Sequence, residues 1–127
     1  LPNELEQVIL NLLRNAAQAL RLGNPPPADP CIWLRLRRDN GALHLQVADN
    51  GPGMEEATRK RVFEPFFTTK EVGVGTGLGL SVSYFIVTQH HGGTLSVDAA
   101  PGQGARFTLS LPIEAPSSRP AAPPGEA

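Results

Sequence analysis

The chain has 127 residues, which suits one domain and leaves no room for two good cores. Its 40% apolar and 18% charged content is ordinary for a globular protein, and a net charge of -1 argues against a broad nucleic-acid or anionic-membrane surface. A single cysteine, Cys31, excludes an intramolecular disulfide and a cysteine-based zinc site, and no apolar run approaches the roughly 20 residues of a membrane span. The opening LPNELEQ is not a signal peptide and lacks an initiator methionine, so the sequence reads as a piece of a longer protein.

The strongest helical pattern covers residues 4–21. Leu5, Val8, Ile9, Leu12, Leu13, Ala16 and Leu20 recur at i, i+3, i+4 spacing and form one apolar stripe. Asn3 suits the N-cap, Glu4 and Glu6 suit the first turn, and Gly23 with Pro25, Pro26 and Pro27 stops the helix. A hairpin follows. Ile32, Leu34 and Leu36 alternate with polar or aromatic neighbours, as do Leu43, Leu45 and Val47, and Asn40-Gly41 between them signals a tight turn. Cys31, at the start of that strand, reads as an inert buried thiol.

Residues 50–76 read as a long irregular stretch with one short helix near 55–62. A second long helix is predicted from Leu78 to His91, ending at Gly92-Gly93. A last hairpin pairs 94–97 with 106–111 across Pro101-Gly102-Gln103-Gly104. The tail 114–127, rich in Pro and Ala, reads as disordered, so the folded domain should lie within 1–113. This element order predicts an α+β fold, a mainly antiparallel sheet with helices on one face.

Four segments carry chemistry. Asn11 and Asn15 project from one side of the first helix, at the border of its apolar stripe. They are either solvated surface residues or a pair of amides facing a cavity, where they could hold Mg²⁺ or phosphate oxygens. Asp49-Asn50-Gly51-Pro52-Gly53 follows a strand directly. It is either a surface turn or a carboxylate aimed at an exocyclic amine, with glycines that let a flat ring approach. Phe63-Glu64-Pro65-Phe66-Phe67 should anchor a loop, from which Lys70 could reach phosphate as a point charge or stay solvated. Gly73, Gly75, Gly77 and Gly79 alternate before a helix and would offer bare N–H groups to phosphate; the bland alternative is a flexible linker. The run is neither a P-loop nor a dinucleotide fingerprint. His44, His90 and His91 read as structural, and no nucleophilic triad is spaced in the sequence.

In this order the segments resemble the catalytic and ATP-binding domain of histidine kinases. QVILNLLRNAAQAL resembles the N box, VADNGPGM the G1 box, FEPFFTTK the F box, and GTGLGLSVSYFIVTQHHGGTLSV the G2 box. GQGARFTLSLP resembles the closing strand segment, so the resemblance covers about residues 5–112, and its wording is nearest to kinases of the nitrogen-regulation type.

The resemblance implies the two-layer α/β sandwich of the Bergerat ATP-binding fold, shared with gyrase, Hsp90 and mismatch-repair ATPases. It implies that ATP and Mg²⁺ are the cofactors. Asn15 would coordinate the metal, and Asn11 would sit near the phosphates. Asp49 would hold the adenine amino group, with Gly51 and Gly53 shaping the pocket. Lys70 would approach the phosphates from a lid, and Gly75, Thr76, Gly77, Leu78, Gly79 and Leu80 would let it close and bring the helix end to the phosphate chain. Asn11 and Lys70 are thus the expected catalytic residues.

Related ATPases carry a water-activating glutamate where Asn11 stands, and an amide cannot take a proton at neutral pH. The chain is therefore expected to hydrolyse ATP poorly and to pass the γ-phosphoryl group to a histidine on a separate dimerisation domain of the same kinase. A response regulator would follow indirectly, with no nucleic-acid or direct membrane contact, and the domain itself would be cytoplasmic. None of the three histidines here has the context of that acceptor. The alternatives are a nucleotide-sensing or docking module, or an ATPase of the same superfamily. Two departures from the family stand out. Ala105 replaces a usual threonine, which implies modest affinity, and the chain starts almost at the N-box helix, which implies a missing first strand and an exposed sheet edge.

Overall fold

A computed structural model of the chain describes residues 3–23, 27–65 and 79–113. Helix α1 spans Asn3–Leu22, one residue longer at each end than its apolar pattern, so Asn3 lies in the first turn rather than before it. Strands β1 (Ile32–Asp39) and β2 (Ala42–Asp49) form the expected hairpin. Asn40 and Gly41 both take positive φ, 52° and 73°, the geometry of the two-residue turn that matches strand twist. The short helix α2 is Glu56–Arg61. Strands β3 (Thr94–Ala99) and β4 (Ala105–Pro112) pair as predicted but extend further towards their shared turn.

The predicted helix 78–91 is not one regular helix. It begins as α3, Gly79–Phe85, and its last turn, Ile86–His90, is π-helical. The widened turn lets both Ile86 and Val87 enter the core while His90 and His91 both reach Glu4 of α1, at 2.9 and 3.2 Å. Gly93 N–H donates to the Val87 carbonyl and closes the end.

The sheet is antiparallel in all three pairings, in the order β1-β2-β4-β3. Period-two alternation puts Leu45 and Val47 of β2, Phe107 and Leu109 of β4, and Leu95 and Val97 of β3 on one face. That face packs against Val8, Leu12 and Ala16 of α1 and against Ile86 and Val87. The opposite face carries Gln46, Arg106, Thr108 and Asp98, with His44 Nδ1 and Ser110 Oγ 2.7 Å apart. The α+β class and the one-sided helix layer are therefore as the sequence pattern implied.

Two readings change. Cys31, just before β1, is half-buried rather than buried. The apolar alternation of β1 does not mark core: Leu34 and Leu36 lie on the helix-facing side by register yet stay 57% and 64% exposed. β1 is an edge strand, and among the described residues nothing covers them. Phe63 does anchor its segment, stacking on Tyr84 and meeting Phe107 edge-on. Phe66, Phe67 and the tail 114–127 lie outside the described residues.

Candidate functional site

Asp49 ends β2, and Ile32 and Ala105 flank it across the ladder. The side chain is buried, with 5% exposure, and Gly51 N–H donates to its Oδ1 at 2.8 Å. Burial pushes its carboxyl above the ordinary aspartate value of 3.8, while the backbone N–H groups of Gly51 and Ala105 pull the other way.

Missing side chains let backbone approach Asp49 and its loop closely. Gly53 has φ +72°, and a Cβ there would collide with the Ala100 carbonyl. A Cβ at Gly104 would strike the Asp49 carbonyl, and one at Gly51 would lie 3.0 Å from Asp49 Oδ1 and 3.4 Å from the Ala19 backbone of α1. Gly102 N–H donates to the Pro52 carbonyl at 2.8 Å, tying the β3–β4 turn to the loop after Asp49. Asn50 braces the other side: its Nδ2 donates to the Asp29 carbonyl, and its Oδ1 accepts from Cys31 N–H, both at 2.8 Å. The result is a fixed carboxylate beside bare backbone.

Asn11, Asn15 and Ala19 follow each other at four-residue spacing along one flank of α1. Ala19 abuts Gly51, and Asn11 abuts the start of α3. Asn11 Nδ2 donates to the Gly79 carbonyl at 3.3 Å and to Ser83 Oγ at 3.1 Å, while its Oδ1 accepts from Gln7 Nε2 at 3.0 Å. The Asn11–Ala19 interval is about 12 Å of helix. One flank thus joins the Asp49 end to the α3 end over a length that suits a nucleotide with its base at one end and its phosphates at the other.

Of the sequence-predicted site residues, the structure places Asn11 and Asn15 on this flank, Gly79 beside Asn11, and Gly51, bonded to Asp49, beside Ala19, while Gly53 lies against the β3–β4 turn. Leu80 is half-buried against the core. Lys70, Gly75, Thr76, Gly77 and Leu78 lie outside the described residues. Sequence reading missed Ser83, Asn50 and Gly104. Ser83, a small hydroxyl on the same helical face as Leu80, Ile86 and Val87, carried no signal of its own, because its partner Asn11 is remote in sequence. Among the described residues no three His, Cys, Asp or Glu converge on a metal position. A cation here would instead rest on amide and phosphate oxygens, a donor set that fits Mg²⁺.

A family model of histidine kinase-, DNA gyrase B- and HSP90-like ATPases matches residues 1–115. The two-component sensor PprA of Pseudomonas aeruginosa is 50% identical over 117 residues, covering 91% of this chain and 12% of that protein. The catalytic domain of the histidine kinase ThkA superposes with a TM-score of 0.72 at 30% identity, covering 87% of this chain and 67% of that one. Full-length ShkA in complex with AMPPNP gives a TM-score of 0.69 at 31% identity, covering 86% of this chain and 21% of that one. The chain thus spans a small fraction of the curated relatives it matches, 12% of PprA. Motifs, fold and relatives agree: the chain belongs to the family of histidine kinase-, DNA gyrase B- and HSP90-like ATPases, as an ATP-binding domain of the histidine kinase type.

Proposed function

We propose that residues 1–113 are the catalytic domain of a two-component sensor kinase, which binds Mg-ATP and passes its γ-phosphoryl group to a histidine on a separate dimerisation domain of the same kinase. The observation that carries this reading is the buried carboxylate of Asp49 beside glycines that admit no side chain. Asp49 accepts from the adenine amino group, and Gly51 and Gly53 shape the pocket beside it. Asn15 is the residue that would hold Mg²⁺, which when bound neutralises charge on the phosphates. Asn11 and Lys70 would attend the phosphate end, and the segment Gly75 to Leu80, with Thr76, Gly77, Leu78 and Gly79, would cover it.

Transfer rather than hydrolysis is supported by Asn11. An amide cannot accept a proton from water, so the site offers no general base at the position where a related ATPase would need one. The work of the protein is positioning and electrostatic stabilisation. The β–γ bridging P–O bond breaks as the acceptor imidazole forms an N–P bond, and ADP leaves.

The acceptor comes from outside this chain. His44 is engaged with Ser110, and His90 and His91 with Glu4. A response regulator would then take the group, and the domain would act in the cytoplasm, where ATP is. The test is to incubate the chain with ATP labelled at the γ position and a purified histidine-bearing hairpin domain of a related sensor kinase. Acid-labile label on the histidine supports the reading. Bound ATP with no label favours a nucleotide-sensing module instead.

A further inference from the structure

We propose that Ser83, together with the Gly79 carbonyl, is a positioning residue that fixes which end of the Asn11 carboxamide faces the nucleotide site, and so makes the site select the Mg²⁺-loaded nucleotide over the metal-free one. The inference rests on the reading of Asn11 as a residue of the phosphate end.

The two ends of a carboxamide differ in chemistry, and its neighbours decide which goes where. A carbonyl oxygen can only accept, so the Asn11 atom 3.3 Å from the Gly79 carbonyl is the donor Nδ2. Ser83 Oγ lies 3.1 Å from the same nitrogen and takes its second hydrogen. Both donor positions of Asn11 are therefore turned towards α3. Ser83 has no solvent exposure, so its hydroxyl cannot exchange this partner for water.

Oδ1 is left on the other side, where its partner is Gln7 Nε2 at 3.0 Å. Gln7 is exposed on α1, and its side chain can swing into solvent. One end of the amide is thus locked and the other has a partner that a ligand can displace. The displaceable end is an oxygen. An oxygen repels the bare oxygens of a metal-free polyphosphate and accepts from a cation's hydration water, or ligates the cation itself. Removing the Ser83 hydroxyl leaves the 3.3 Å bond to the Gly79 carbonyl alone to hold the amide, so its NH₂ turns outward more often, where it would donate to phosphate whether or not metal is present.

Calorimetric titration of the wild-type chain, Ser83→Ala and Ser83→Thr with ADP and a non-hydrolysable ATP analogue, each with and without Mg²⁺, tests this. The gain in affinity that Mg²⁺ gives should fall about fivefold in Ser83→Ala, as for loss of one hydrogen bond, with metal-free affinity not reduced. Ser83→Thr, which keeps the hydroxyl, should restore the gain. An unchanged gain in Ser83→Ala, or a loss that Ser83→Thr does not restore, overturns the inference while leaving the nucleotide site standing. A folded wild-type chain that takes no nucleotide overturns both. Should Ser83→Ala not melt cooperatively, side-chain amide exchange in the wild type decides: the Asn11 NH₂ should exchange more slowly than that of Gln7, and equal rates would contradict the lock.

Discussion

Asn11 of α1 donates a hydrogen bond to the Gly79 carbonyl, 68 positions further along the chain. The bond fastens the polar flank of the first helix to the opening turn of α3. It also marks the residue type at which related ATPases and this chain part ways. A carboxylate at this position could not donate to Gly79 and would be free to take a proton from water.

Asn11→Glu should therefore raise the rate of ATP hydrolysis by about a hundredfold, the lower end of what a placed general base contributes. Phosphate release under saturating Mg-ATP measures it. An unchanged rate in a variant that still binds nucleotide would remove Asn11 as the reason for poor hydrolysis.

Glycine matters at two positions for different reasons, and a pair of variants separates them. Gly53→Ala meets both a positive φ and a collision with the Ala100 carbonyl, and should cost about 2 kcal/mol or more. Gly102→Ala has a comparable φ of 75° with open space around the added methyl, and should cost about 1 kcal/mol. Denaturant unfolding of both reports the difference. Equal costs would mean that the close approach beside Asp49 is not built into the fold.

Two carboxylates respond to acid in opposite senses. The hydrogen bond to His90 is the largest influence on Glu4 and, with His91 beside it, holds its carboxyl below the ordinary value of 4.5. Its contribution to stability is present above that value and is lost as pH falls through the lowered one. Burial raises Asp49, so the fold carries its desolvation cost above the raised value and sheds it as pH falls through that value. Melting curves should show a wild-type advantage over Glu4→Gln near neutral pH that closes as the pH falls through the lowered value, below 4.5. The gap is small, because both partners are exposed. A gap that widens in acid would contradict the assignment.

Much of the fold was legible because its signals are local. The stripe from Leu5 to Leu20 and the pair Asn40-Gly41 each determine their element without help from distant residues. The π-helical turn at Ile86–His90 was not legible, since an ordinary apolar spacing is compatible with a regular helix and Glu4, which the turn serves, is remote in sequence. β1 misled in another way. Leu34 and Leu36 alternate like core residues, but burial depends on what lies over the face: among the described residues nothing covers them, whereas Leu95 and Val97 on the other edge strand, β3, are buried. At the site, Asp49 and its glycines announced themselves through residue type. Ser83 did not, because its role exists only once α3 packs on α1 and brings it to Asn11.

The central claim is a nucleotide pocket organised by Asp49. Its most direct test is a thermal-shift titration of the wild-type chain and of Asp49→Asn with ATP and ADP, with and without Mg²⁺. Ligand at 100 times Kd should stabilise the wild type by about 2.7 kcal/mol. A saturable upward shift that Asp49→Asn abolishes is the predicted result, since an amide turned to satisfy Gly51 N–H cannot reproduce both oxygens of the carboxylate. A cooperatively melting wild-type chain whose Tm does not move, or an Asp49→Asn variant that shifts as far as the wild type, would contradict it.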